Sequence, residues 1–299
     1  MHTTAAAPIA VPEVFPQVVP FARTTVRLHP RAGAPTAGQS SMGGPLLWPT
    51  DEPWPICSGP DPYDHSDIAP AAADVPLVPV LQLFAEDVPE LPFPAGTDLL
   101  QVLWCPFDHM PWCSPRPELR WRSRDRVGER LEEMPAPDQE AEDRHLPDSC
   151  ALDPERVTEY PSHDLPREVW SQIGDAVARV QRESGWQYDW DLAVAPGTKV
   201  GGYPGWTQVP DWPECGCGAT MEHLLTIAGW EFDRGDDKRW LPLEDRPAMA
   251  GWDFDADDEH PWRRIQNPAG LMLGDAGGIY LFVCTRCPDR PFDYRFDCS

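Results

Sequence analysis

Met42-Gly43-Gly44-Pro45-Leu46-Leu47-Trp48, followed by Trp54-Pro55-Ile56-Cys57, is one of two versions of a single pattern. The other is Val200-Gly201-Gly202-Tyr203-Pro204-Gly205-Trp206, followed by Trp212-Pro213-Glu214-Cys215. Gly43, Gly44, Trp48, Trp54, Pro55 and Cys57 map onto Gly201, Gly202, Trp206, Trp212, Pro213 and Cys215, at one offset of 158 residues and without a gap. Trp and Cys are rare residue types, so this spacing points to an internal duplication.

The likeness continues beyond the cysteines. Val78-Pro79-Val80-Leu81-Gln82-Leu83 and Leu224-Leu225-Thr226-Ile227 are apolar runs of strand length. Leu99 to Cys105 and Ile279 to Cys284 are two more, each ending in Cys. Short apolar runs bounded by Gly and Pro read as buried strands. The pattern predicts an α+β, strand-rich fold of two related halves, with a helical and charged insertion between them. Residues 1–22 read as a flexible N-terminal arm, 23–115 as the first half, 116–196 as the insertion and linking helix, and 197–299 as the second half. Within the insertion, residues 116–159 are charged and Pro-dotted, which reads as an arm or long loop. A helix follows. Asp164 is its expected cap, Pro166 suits its first turn, and Val169, Ile173, Val177 and Val180 form one stripe. Gly185 is its expected stop, and the stripe predicts packing on a sheet. The Gly-Gly pairs read as turns folded under the following Trp, since neither opens a phosphate-binding motif.

The 24 Lys and Arg against 49 Asp and Glu leave a net charge of −25. Such a field disfavours nucleic-acid binding and attracts basic partners. It also keeps a chain with 14 Trp in solution. The 38 Pro residues favour short strands over long helices. The N-terminus has no cationic stretch leading into an apolar run, and no stretch approaches the ~18 apolar residues of a membrane span. The expectation is a cytoplasmic protein whose nine cysteines are reduced, so that clustered cysteines point to metal.

Cys215-Gly216-Cys217-Gly218 and Cys284-Thr285-Arg286-Cys287-Pro288 are two close pairs. Cys215, Cys217, Cys284 and Cys287 converging from two turns complete a tetrahedral structural zinc site, with Gly216 and Gly218 freeing backbone N–H groups for the sulfurs. The competing reading is four small buried residues at strand ends. In the first half, Cys105-x3-His109-x3-Cys113 has a possible metal spacing, and Cys57 joins it through the repeat. That set reads as a degenerate counterpart. His65, His145, His163, His223 and His260 form no metalloprotease arrangement, no nucleophile elbow is present, and the acidic run Asp253 to Glu259 reads as a solvated loop.

At these residues the chain resembles the YwqG-like bacterial proteins and, equally, the eukaryotic relatives of programmed cell death protein two, including a yeast ribosome-biogenesis factor. The resemblance rests on Gly201-Gly202-Tyr203-Pro204, Trp206, Gln208, Cys215, Met221-Glu222-His223-Leu224-Leu225, and Gly274-Asp275-Ala276-Gly277-Gly278 through Phe282. In the first half, Gly43-Gly44, Trp48-Pro49 and Glu52-x-Trp54-Pro55 fit the bacterial version. It covers roughly residues 23–113 and 197–298, and the charged insertion and the Cys-x-Cys pair depart from it. The resemblance implies a strand-rich α+β fold without established enzyme activity. It also implies a chaperone role toward a basic ribosomal protein in eukaryotes, and proximity to toxin genes in some bacteria. Charge, Trp content and resemblance together predict a non-catalytic, chaperone-like module for a basic polypeptide, with Trp54, Trp206, Gln208 and Trp212 as groove residues. An immunity-type inhibitor of a cationic toxin is the alternative, and a metal-dependent enzyme is a third.

Overall fold

The computed structural model describes residues 2–57, 75–136, 143–233, 237–249, 262–274 and 277–298. In chain order the strands are β1 (Arg23–Arg27), β2 (Arg31–Ala32), β3 (Ser41–Met42), β4 (Ile56–Cys57), β5 (Val75–Pro76), β6 (Val78–Phe84) and β7 (Leu99–His109). They continue with β8 (Ser114–Arg122), β9 (Cys150–Ala151), β10 (Glu155–Glu159), β11 (Lys199–Gly201), β12 (Glu222–Ala228), β13 (Gly278–Val283) and β14 (Phe292–Asp297). The four apolar runs singled out in the sequence are β6, β7, β12 and β13, so the fold is mixed α+β and rich in strands.

Two six-stranded sheets form, with orders β2-β9-β3-β6-β7-β8 and β10-β1-β11-β12-β13-β14. Every pairing in them is antiparallel. Their last four strands follow the same ascending plan. In both, the pairing of the fourth and fifth strands shifts register, between Pro79 and Leu81 in one and between His223 and Leu225 in the other. Each Gly-Gly pair lies at the end of the third strand with positive φ. A Cβ on Gly43 would collide with the Asp148 backbone, and one on Gly202 with the Glu159 carboxylate. Both turns are therefore closed by the segment that links the sheets, which is why they tolerate only Gly.

The long strands are buried on both faces, and alternation sorts their side chains. In β7, Leu100, Val102 and Trp104 enter a core shared with the second sheet, while Leu103, Cys105 and Phe107 enter a separate cluster with Trp48 and Cys57. In β13, Ile279, Leu281 and Val283 enter the shared core, while Tyr280, Phe282 and Cys284 join Trp206 and Cys215.

Four expectations change. Residues 116–159 do not form an arm or long loop: β8 ends the first sheet, β9 joins it, and β10 edges the second. Charge hid a strand pattern in β8, where Leu119 packs into the core while Arg122 forms a forked ion pair with Glu52 of the loop before β4. Nor is the N-terminus a loose arm, because Val11, Phe15 and Val18 are buried. Val11 lies on a short helix, α1 (Val11–Val14), Val18 on the 3-10 turn Pro16–Phe21, and Phe15 at the junction between them. The predicted helix exists as α2 (Arg167–Ser184) and stops at Gly185 with φ 75°. Its buried Ile173 and Val180 face that N-terminal segment rather than a sheet. Asp164 does not cap it and instead accepts a 2.6 Å hydrogen bond from the Trp212 indole.

Candidate metal centre and adjoining groove

The Trp-Pro loop after β11 delivers Cys215 into a tight turn. The Gly218 N–H donates to the Cys215 carbonyl and the Cys215 N–H to the Ala219 carbonyl, both at 2.8 Å. Gly218 has φ 78°, which favours Gly. β13 delivers Cys284, whose N–H donates to Pro291, and the following turn brings Cys287 back. The four sulfurs lie within 4.8 Å of one another. Cys215 and Cys287 are 3.8 Å apart, and Cys217 and Cys284 3.6 Å. Tetrahedral zinc with ~2.3 Å bonds to sulfur sets its ligands about 3.8 Å apart. A disulfide needs ~2.05 Å. The thiols are therefore placed to share a metal ion, and four sulfur donors suit zinc. For the Cys284 thiol, burial works upward, but the N–H groups of Cys287 and Arg286 and the neighbouring thiols outweigh it and bring it down to about 7. The N–H groups aimed at sulfur thus come from Arg286 and Cys287 toward Cys284 and from Cys217 toward Cys215, while that of Gly218 closes its turn.

In the first half Cys57, Cys105 and His109 converge, all buried. Cys113 does not join them: it is exposed, with its sulfur 3.7 Å from that of Met110. The acidic run Asp253 to Glu259, His65 and His260 lie outside the described residues.

The aromatic residues expected in a groove divide. Trp54 is half-buried and donates to the Leu77 carbonyl at 2.8 Å. Trp206 is buried, edge-on to Trp212 and Tyr280 and stacked on Phe282, so it walls the cysteine cluster. Trp212 is half-buried in the same cluster. Gln208 is exposed and donates to the Cys298 carbonyl at 3.2 Å.

Trp206 also lines a groove on the second sheet, with a cavity volume of about 180 Å³. Lys199, Thr226 and Tyr280 contribute to its lining from the strands, and Trp230 and Phe232 from the loop after β12. Asp189, Asp233 and Trp190 line it too, and Trp190 is 52% exposed. Sequence reasoning missed Trp190. Its signal was the alternation of aromatic and acidic residues, Tyr188-Asp189-Trp190-Asp191, which folds as a π-helical turn (Tyr188–Ala193) after α2.

In the same sheet, His223 on β12 is buried between the Gly201 carbonyl, 2.9 Å from Nδ1, and the Thr226 hydroxyl, 3.0 Å from Nε2. A carbonyl only accepts, so Nδ1 carries the proton and Nε2 accepts from Thr226. Burial, and then the Lys199 charge, lower its pKa to about 3. Between 6.5 and 3 the unfolded chain binds a proton that the native chain refuses, so stability is lost as pH falls. At pH 5 the loss is about 2 kcal/mol. Urea titrations at pH 7.5 and 5.0 should show wild type losing that much more than His223→Gln. Equal losses would contradict the assignment.

No family model matches the chain, and the search of curated proteins returns no match.

Proposed function

We propose that the protein is a non-catalytic, chaperone-like binding module for a basic polypeptide, of YwqG-like descent. In this reading it is built from a duplicated half and braced by structural zinc on Cys215, Cys217, Cys284 and Cys287. The observation that carries the binding reading is the groove, which combines an exposed Trp190 with walls of Trp206, Trp230 and Phe232 and the carboxylates Asp189 and Asp233. Aromatic faces attract Lys and Arg side chains, and more strongly once water is displaced. Carboxylates and the net charge of −25 steer a cationic segment toward them. Lys199, inside the groove, does not oppose this, because its ammonium is held by Glu159 at 2.6 Å. The zinc reading is supported by the sulfur spacing, and a shell of four protein donors braces rather than reacts. The duplication is supported by the shared strand plan and by Trp48, Cys57 and Cys105 standing where Trp206, Cys215 and Cys284 stand.

The test is calorimetry against an array of Lys- and Arg-rich peptides at low salt. Binding is expected in wild type and should fade as salt is raised. Trp190→Ala should weaken it about tenfold. Because that side chain is half in solvent, the melting temperature should stay unchanged. Absence of binding across the array, or a Trp190→Ala variant that binds as wild type does, would overturn the reading.

A further inference from the structure

We infer that Cys57, Cys105 and His109 form a second zinc site, in the first half of the chain, weaker and more exchangeable than the four-cysteine centre. It uses none of the residues of the groove or of that centre, so it stands or falls separately.

The geometry begins with β7. Its alternate side chains place Cys105 on the face turned away from the shared core, and His109 lies four residues on. The β7–β8 register shifts between Cys105 and His109, and this shift delivers the imidazole to the cluster. Cys57 arrives on β4, held by pairing with Val75 on β5. The three donor atoms lie within 4.8 Å of one another, with Cys57 Sγ 3.8 Å from His109 Nε2. A tetrahedral ion bonded to sulfur at ~2.3 Å and to nitrogen at ~2.05 Å sets those atoms about 3.6 Å apart. The residues are 5%, 0% and 1% exposed, respectively, so the cluster is walled from water by its neighbours Trp48, Leu103 and Phe107.

A second observation comes from the other sheet. Cys57 and Cys105 occupy the places that Cys215 and Cys284 hold there, each pair clustered with two Trp residues, and Cys105 lies on the face of β7 turned away from the shared core. The two clusters differ in donors. Arg116, directly across the ladder from Cys105, donates from Nη2 to Cys57 Sγ at 2.9 Å. Such a hydrogen bond orients the thiolate and withdraws its electron density from a metal. Two thiolates, one imidazole and a nearby guanidinium hold zinc less tightly than four thiolates do. Among the described residues the chain brings three donors to this cluster and four to the other.

Native mass spectrometry of the full chain, loaded with zinc and freed of excess, tests this. Wild type is expected to carry two zinc ions, with Cys57→Ser and His109→Ala each carrying one. Cys284→Ser should also carry one, and should lose it to a chelator at least tenfold faster than Cys57→Ser loses its own. A single ion in wild type that Cys284→Ser abolishes and Cys57→Ser retains would overturn the second site while leaving the first. Should the variants fail to fold, cobalt(II) titration of wild type decides. Two phases are expected, with sulfur-to-cobalt charge-transfer intensity in the ratio of four thiolates to two. One phase alone would overturn the inference.

Discussion

Glu159→Ala is expected to destabilise the protein by about 3–5 kcal/mol, more than any other single carboxylate replacement. Glu159 is fully buried at the end of β10 and spends both oxygens. Oε1 accepts from Lys199 Nζ at 2.6 Å and from the Ala195 N–H at 2.9 Å, and Oε2 accepts from the Tyr203 N–H at 2.9 Å. One side chain thus ties the edge strand to the Gly-Gly turn and to the groove wall. Removing it strands an ammonium that is 1% exposed. Burial already pushes the Lys199 pKa below its usual range, and Glu159 is the main force raising it again. In the variant the native state therefore refuses a proton that the unfolded chain binds, and the penalty fades as pH rises toward the ordinary lysine range. Urea unfolding at pH 7 and pH 10 should show the gap to wild type narrowing at the higher pH. Lys199→Met added to Glu159→Leu should recover part of the loss, because a buried pair stabilises little beyond what its own desolvation costs. A Glu159→Ala variant within 1 kcal/mol of wild type would contradict this account.

Stripping metal from the second half is the other large expected effect. Structural zinc in small domains supplies apparent binding energies of about 10–16 kcal/mol. Less is expected here, because the core shared by the two sheets contains none of the four ligands. A strong chelator, or Cys217→Ser, should lower stability by about 4 kcal/mol or more and the melting temperature by about 10 °C. The loss should be concentrated in the cluster of Trp206, Trp212, Tyr280 and Phe282, so tryptophan emission should shift to the red before global unfolding. Acidification should mimic the chelator, since protons compete for thiolate. A melting temperature indifferent to both treatments would remove the structural role assigned to the metal.

The strands were legible because β6, β7, β12 and β13 are buried on both faces and so read as unbroken apolar runs. The four cysteines were legible through their spacing. In the first half His109 was legible through its spacing from Cys105 and Cys57 through the repeat, whereas the register shift between Cys105 and His109 leaves no trace in sequence. β8 and β10 were hidden by charge, because an edge strand's outward residues follow solubility rather than burial. Trp206 was expected in a groove and is buried, with one edge on the groove and one on the cysteines. Composition counts a tryptophan without saying which face of it meets water. Trp190 became visible only through the π-helical turn that raises it beside the groove.

The placement of β1 bears on how the chain is made. β1 lies near the start of the chain, yet its sheet partners are β10 and β11, and Thr25 Oγ1 donates to the Val200 carbonyl 175 residues further on. During synthesis this strand emerges early and waits, unpaired, until β10 follows about half a chain later, and its other edge waits longer still for β11. The first sheet can close around β3, β6, β7 and β8 meanwhile. The second cannot, because only β10 and β1, at one side of it, are made before the other four, β11 to β14. A fragment beginning at residue 197 would expose β11 as a bare edge, and one ending at residue 115 would leave β1 without a sheet. Supplying the two fragments together should restore less than the intact chain does, since β10 and the Glu159 clasp would belong to neither.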